Sequence, residues 1–214
     1  LMLAHGHGDG LVTGATRKSG QVLSQLGRVF DLRPQDGAVG ITAVLHNGRI
    51  VLMGDTLVHE WPEAEDLADI ATRGAHVARS LGLDPRVAFL SFSTFGYPVS
   101  ERAVKMAKAT EVLDRRGVDF EYEGEMTVDV ALNPEQAARY PFSRLTGPAN
   151  VLVVPARHSA SISVKLLQEM AGATVIGPIL TGVPKPIQIC STTSTVNDIL
   201  NMAAIAAGRL GQVK

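Results

Sequence analysis

Cysteine is almost absent from this chain: Cys190 is the only one in 214 residues. That excludes a disulfide framework and a thiolate metal cluster, and a reducing compartment, the cytoplasm, is the expected location. An excess of charge is missing too, since 20 Lys and Arg against 21 Asp and Glu leave a formal charge of -1. With no basic run there is no electrostatic footprint for nucleic acid or an anionic membrane, so neither is expected as a partner. No apolar stretch approaches the roughly 20 residues of a membrane span, and no signal peptide is recognisable. P-loop strings, internal repeats and low-complexity segments are all lacking. The chain opens on Leu1 rather than Met, so a piece of a longer protein is expected.

What is present is a chain 45% hydrophobic, enough to bury a core in one large domain or two small ones. Leu1 to Ala4 reads as a helix tail, Gly10 to Ala15 as a short strand, and Ser19 to Phe30 as a helix. Val39–His46 and Arg49–Gly54 are apolar runs joined at Asn47-Gly48, a strong hairpin signal. Glu63 to Leu81 has one apolar face (Leu67, Ile70, Ala71, Val77, Ala78, Leu81), with Pro62 suited to its first turn. A strand over Arg86–Ser91 precedes a helix over Ser100–Arg116, whose Met106, Ala109 and Leu113 point inward. A strand beginning at Phe120–Tyr122, another at Val151–Pro155 and a helix over Ser159–Ala171 follow. This alternation predicts an α/β fold, a mostly parallel sheet sandwiched by helices with an antiparallel hairpin.

The most informative stretch is Thr174 to Asn201. The apolar runs Val175–Leu180 and Ile187–Cys190 are separated by Gly182 and Pro184, and the second empties into Ser191, Thr192, Thr193, Ser194 and Thr195 before a helix opens. Strand, hydroxyl-rich turn and helix N-terminus together favour an anion, through unpaired backbone N–H groups and the helix dipole. Thr195 to Asp198 also has the spacing of a capping box, which accounts for Asp198 without catalysis. From Val196 to Ala207 that helix has almost no polar face, so it is expected to need burial against an absent domain or another subunit.

Other candidates have equally plain alternatives. Gly6, Gly8 and Gly10 lack the spacing and preceding strand of a dinucleotide fingerprint. His5 and His7 diverge and lack a suitably spaced carboxylate, so exposed histidines are expected rather than a metal site. Ser91 to Gly96, at a strand's carboxyl end, could take a ligand or only satisfy its own turn. Arg157 and His158 could grip a phosphate or carboxylate, or form a solvated face. Glu121, Glu123 and Glu125 alternate and read as an acidic rim.

Several ordered blocks, GLVTGA (Gly10–Ala15), AFLSFSTFG (Ala88–Gly96), DFEYEGEM (Asp119–Met126), GPANVLVVPARHSASIS (Gly147–Ser163) and GATVIGPILTGVPKPIQIC (Gly172–Cys190), resemble the phosphate acetyltransferase and butyryltransferase family. They resemble still more closely the C-terminal phosphotransacetylase-like domain of large bacterial NADP-dependent malic enzymes. The resemblance implies a module truncated at its N-terminus, with residues 1–180 as the second subdomain and 181–214 as a return segment completing a first subdomain that is otherwise absent. It implies an upstream malic enzyme domain that carries NADP and a divalent metal, none of which is expected in this fragment.

In active members the strand matching Ile187–Cys190 ends in Ser-Arg-Gly and an aspartate follows in the next helix. Those positions fall on Ser191, Thr192, Thr193 and Asp198, so threonine stands where the phosphate-engaging arginine is expected. Threonine has neither the charge nor the fork of donors, and such a loss costs on the order of a hundredfold in rate. Phe95 stands where many active members keep Lys. The resemblance therefore implies a site retained in shape and disabled in chemistry: no catalytic residue, a homodimer or higher oligomer, and acetyl-CoA as a regulatory effector held by Ser93, Thr94, Arg157, Lys165, Ser191, Thr192 and Asp198. The alternative is a working acyltransferase between coenzyme A and phosphate, with Ser191 and Asp198 as its functional pair.

Overall fold

A computed structural model describes residues 1–30 and 37–208. Six strands form the main sheet: β2 (Val39–His46), β3 (Arg49–Gly54), β4 (Arg86–Leu90), β5 (Glu121–Met126), β6 (Val151–Val153) and β7 (Thr174–Thr181), in the order β5-β4-β6-β3-β2-β7. β1 (Leu11–Gly14) pairs instead with β8 (Ile187–Cys190) in a separate two-stranded parallel sheet. Pairing within the main sheet is parallel except around β2, which runs antiparallel to both β3 and β7. The expected hairpin therefore forms at Asn47-Gly48, where both residues adopt positive φ as such a turn requires.

Alternation along the strands divides the core into two layers. On one side Ile41, Leu52, Val87, Phe89 and Val151 pack against α2 (Ala64–Ser80) and α3 (Glu101–Arg116). On the other, Val44, Met53, Ala88, Leu90 and Leu152 meet α6 (Arg157–Ala171) and the short α4 (Val128–Leu132), which is followed by α5 (Pro134–Ala137). Apart from Leu81, the predicted inward residues of α2 and α3 are buried, with Leu67, Ile70, Ala109 and Leu113 fully enclosed. Each enclosed Leu or Ile contributes about 1.5–3 kcal/mol of transfer free energy.

Some sequence expectations shift. Pro62 lies ahead of the cap: Asp66 accepts a hydrogen bond from the Glu63 backbone N–H at 2.8 Å, and α2 starts at Ala64. Leu81 caps the far end and is 45% exposed, because the chain leaves the helix there. Leu1 to Ala4 form a hydrogen-bonded turn, with His5 N–H donating to Leu1 O, and His5 and His7 are exposed. The glutamates of β5 are not a rim. A register shift opposite Phe89 and Leu90 leaves Glu125 unpaired in the ladder, and Glu123 and Glu125 are both buried. Glu123 accepts from Arg144 and the Gly124 N–H, while Glu121 accepts from Thr146. Burial of such carboxylates is tolerable only with these partners.

The two-stranded sheet joins the main body through α1 (Ser19–Phe30), whose Val22 and Leu26 share a small core with Leu3, Leu57, Leu180 and Ile187. Buried Gln188 clamps β8 to β7, donating to Leu180 O at 3.1 Å and accepting from its N–H at 3.0 Å. The last helix, α7 (Val196–Gly208), buries Met202 and Ala206 but leaves Val196 and Leu200 exposed. Among the described residues its apolar surface is covered on one side only. Among the described residues no helix is long and apolar enough to cross a membrane.

Candidate functional site

At the end of β8 the chain turns on its own hydroxyls. Ser191 N–H donates to Ser194 Oγ at 2.9 Å, and Thr193 N–H donates to Ser191 Oγ at 2.9 Å. Asp198 Oδ2 accepts from Thr195 N–H at 2.8 Å, and Thr195 Oγ1 accepts from Asp198 N–H at 3.2 Å. Both halves of the capping box are thus made. The turn forms one wall of a cleft of about 230 Å³, completed by Gln168 of α6, Val175 to Gly177 of β7, and Asn201 and Met202 of α7.

The electrostatics of this cleft are one-sided. Among the described residues Ser191, Thr193 and Asp198 line it, Thr192 does not, no Lys or Arg does, and Asp198 is the single carboxylate. Burial, and then the Asp198 charge, push the Cys190 thiol upward, so this cysteine stays protonated near neutrality and is a poor nucleophile. A helix N-terminus supplies partial positive charge here, but the full cation of an active phosphate site is lacking among the lining residues.

The other predicted site residues lie elsewhere. Ser93 is fully buried and donates to Glu125 Oε1 at 3.1 Å, and the same oxygen accepts from Gly96 N–H at 2.7 Å. Thr94 exchanges hydrogen bonds with Thr127. Phe95, at φ 48°, packs against Tyr140 and Phe142 with centroids 5.2 and 4.8 Å away. These hydrogen bonds tie the turn after β4 to Glu125 of β5 and to Thr127. Arg157 donates to Leu57 O at 3.2 Å and lies 3.5 Å from Glu60, which ties the start of α6 to the loop after β3.

α6 measures the separation. Arg157 opens it and Gln168, a wall of the Ser191 cleft, lies in its last turn, roughly 16 Å along the axis at about 1.5 Å per residue. Ser191, Asp198 and the cleft are together; Ser93, Thr94 and Arg157 are not with them. Lys165 is exposed, one helical turn before Gln168 and on the same flank, so of the predicted cations it stands nearer the cleft.

Sequence reasoning missed the cleft's other walls. Gln168 and Gly177 carry no local motif. It also missed the neighbourhood of β1, whose register with β8 aligns Gly14 with Cys190 and lets Ala15 N–H donate to Cys190 O at 3.2 Å. A Cβ at Gly14 would collide with the Cys190 carbonyl, and its φ of +104° suits glycine. A glycine after a short strand was the one visible signal of that close approach.

At Asp55, buried after β3, a further polar cluster appears. Its carboxylate accepts from the N–H groups of Gly40, Leu57, Val58 and His59, and lies 2.8 Å from His59 Nδ1. The Asp55 hydrogen bond raises the His59 pKa against the opposing effect of burial, helped by Asp66 and Asp69. Adjacent strands β3 and β6 send α2 and α6 to opposite faces beside it, the topological switch point of the sheet.

Comparison with known proteins gives this geometry a lineage. Residues 1–207 match the phosphate acetyl/butaryl transferase family. An NADP-dependent malic enzyme of Rhizobium meliloti is 51% identical over 98% of this chain, which spans 28% of that relative. A phosphate acetyltransferase of Clostridium acetobutylicum is 35% identical over 96% of the chain and 64% of its own length. Among solved structures, a phosphotransacetylase from Streptococcus pyogenes superposes with a TM-score of 0.91 at 30% identity, covering 99% of this chain and 65% of that one. The fold, the strand-turn-helix at Ser191 and these matches together place the chain in the phosphate acetyl/butaryl transferase family, as the phosphotransacetylase-like module that malic enzymes also carry.

Proposed function

We propose that this chain is a regulatory, non-catalytic acetyl-CoA-binding module of an NADP-dependent malic enzyme. One observation carries the reading: the cleft keeps Ser191 and Asp198 on its wall, yet no cation among the described residues lines it and Asp198 is engaged in capping α7. A phosphoryl group entering there meets a carboxylate and no guanidinium, whereas an uncharged thioester meets hydroxyls and amides. Binding without turnover follows, since catalysis needs groups that hold charge developing in the transition state. In the parent protein an upstream domain would carry out oxidative decarboxylation of malate to pyruvate, and NADP and a divalent metal belong to that domain. Acetyl-CoA would act by favouring one arrangement of subunits over another.

A second reading, a working acyltransferase moving an acyl group between coenzyme A and phosphate, is favoured by the joint presence of Ser191 and Asp198 in the cleft and by the phosphate acetyltransferase relatives. Phosphate-dependent release of free coenzyme A from acetyl-CoA, followed by thiol titration, separates the two. The regulatory reading predicts no release above background and saturable acetyl-CoA binding by calorimetry, both measured on the longest form of the protein. Turnover at a rate ordinary for an enzyme would establish the acyltransferase instead.

A further inference from the structure

Three separate segments of the chain meet around one side chain. Trp61 stands in the loop between β3 and α2, and Arg102 lies over its indole ring, with the guanidinium carbon 5.4 Å from the ring centroid. The His158 imidazole approaches the same indole, with centroids 5.9 Å apart and planes tilted by 59°. Arg102 belongs to the first turn of α3 and His158 to the first turn of α6. Those helices cover opposite faces of the main sheet, so Trp61 bridges the two layers across the strand ends.

The strands beneath are neighbours. β3, β6 and β4 run parallel and adjacent, and their carboxyl ends lead into the loop of Trp61, into His158 and into the turn before α3. The crevice outside such ends, where connections leave for opposite faces, is where open α/β sheets take ligands. Trp61 stands at its mouth. The Ser191 cleft lies elsewhere, against β7 and the far end of α6.

Each side chain offers a distinct contact. Trp61 is 58% exposed, although tryptophan is highly buried on average. Its indole presents a planar surface on which a nucleobase stacks, because every base has a π-face. Of the acids beside the cluster, Glu60 is paired with Arg157 and Glu63 with Lys105, while Glu101 is exposed. Among the described residues no carboxylate pairs with Arg102. A guanidinium held over a ring rather than in an ion pair keeps its fork of N–H donors for an incoming anion. The imidazole of His158, also exposed, adds a further donor.

We propose that Trp61, Arg102 and His158 form a nucleotide-binding site, in which the base stacks on the indole and a phosphate accepts hydrogen bonds from Arg102 and His158. Base and phosphate are chemistry shared by a free nucleotide and by the nucleotide end of a larger coenzyme. None of the three residues belongs to the Ser191 cleft, so this binding is independent of whether acetyl-CoA occupies that cleft.

Trp61 is the only tryptophan of the chain, so its fluorescence reads the site directly. Titration with ADP should quench it saturably, with half-saturation on the order of 1 mM or below. Adenosine, without phosphate, and pyrophosphate, without a base, should each bind about tenfold more weakly. Arg102→Gln should weaken ADP by about tenfold and leave adenosine unchanged. Calorimetry should detect no ADP binding by Trp61→Ala. Both side chains are exposed, so thermal unfolding of these variants should match the parent. A parallel titration with acetyl-CoA identifies the source: tighter quenching than by ADP assigns the site to the nucleotide end of a coenzyme, and equal or weaker quenching to a free nucleotide. Emission unmoved by ADP up to about 10 mM overturns the proposal. So does ADP that binds no better than adenosine, or an Arg102→Gln variant of undiminished ADP affinity.

Discussion

Thr195 and Asp198 satisfy each other across the first turn of α7, each side chain accepting the other's backbone N–H, at 3.2 and 2.8 Å. Asp198 thus has a structural duty at the start of α7. Asp198→Ala is expected to lower stability by about 1 kcal/mol, and Thr195→Ala by a similar amount. The double variant should fall short of their sum, because one reciprocal motif is lost either way. Urea denaturation of the four proteins measures this, and an Asp198→Ala variant of unchanged stability would remove the cap from the account.

The Asp55–His59 pair makes a pH prediction. His59 has its folded-state pKa raised, first by the Asp55 hydrogen bond. A raised pKa means its stabilisation is complete below the unfolded value of about 6.5 and is lost as pH rises through the folded value. Stability should therefore decline from mildly acidic pH upward, and His59→Gln should flatten that dependence. Asp55→Ala leaves four backbone N–H groups and the imidazole without their acceptor, a loss of about 3–5 kcal/mol visible in the same denaturation experiment.

Gly14 is expected to be intolerant. Any Cβ there strikes the Cys190 carbonyl, and the backbone is already at φ +104°. Gly14→Ala should destabilise by about 2 kcal/mol or more through overpacking and strain. Proteolysis near residues 14–18 should rise as β1 leaves β8.

The two predicted cations of α6 should separate in function. Lys165, one turn from Gln168, should weaken acetyl-CoA binding when changed to Glu, with little effect on stability. Arg157→Glu should instead lower stability, since it breaks the bond to Leu57 O and sets a carboxylate against Glu60. Calorimetry beside thermal unfolding distinguishes these outcomes; equal loss of binding in both variants would contradict the placement.

Thr192→Arg restores the guanidinium that active relatives are expected to hold after the serine. If the missing charge is what disables the site, phosphate-dependent release of coenzyme A should rise by on the order of a hundredfold over the starting protein. Thiol titration reads this directly.

Much of the fold was legible in the sequence. The bounds of α1 and of the β2–β3 hairpin emerge as expected, because capping, turn chemistry and apolar period are local signals. β5 was read less well. Glu121, Glu123 and Glu125 look like an exposed alternation, but a register shift and the arrival of Arg144, Ser93 and Gly96 from distant segments turn two of them inward. Nothing near those glutamates announces these partners.

The sequence by itself determined the α/β class, the family, the capping of α7 and the absence of arginine at Thr192, since each depends on residue identity over a short span. Only the tertiary structure decided which candidates share a site. Ser191 and Asp198 stand together because β8 hands directly into α7, whereas Arg157 and Ser93 belong to other strand ends. The pairing of β1 with β8 and the meeting of Trp61 with Arg102 and His158 were likewise invisible, because they follow from how separate layers meet.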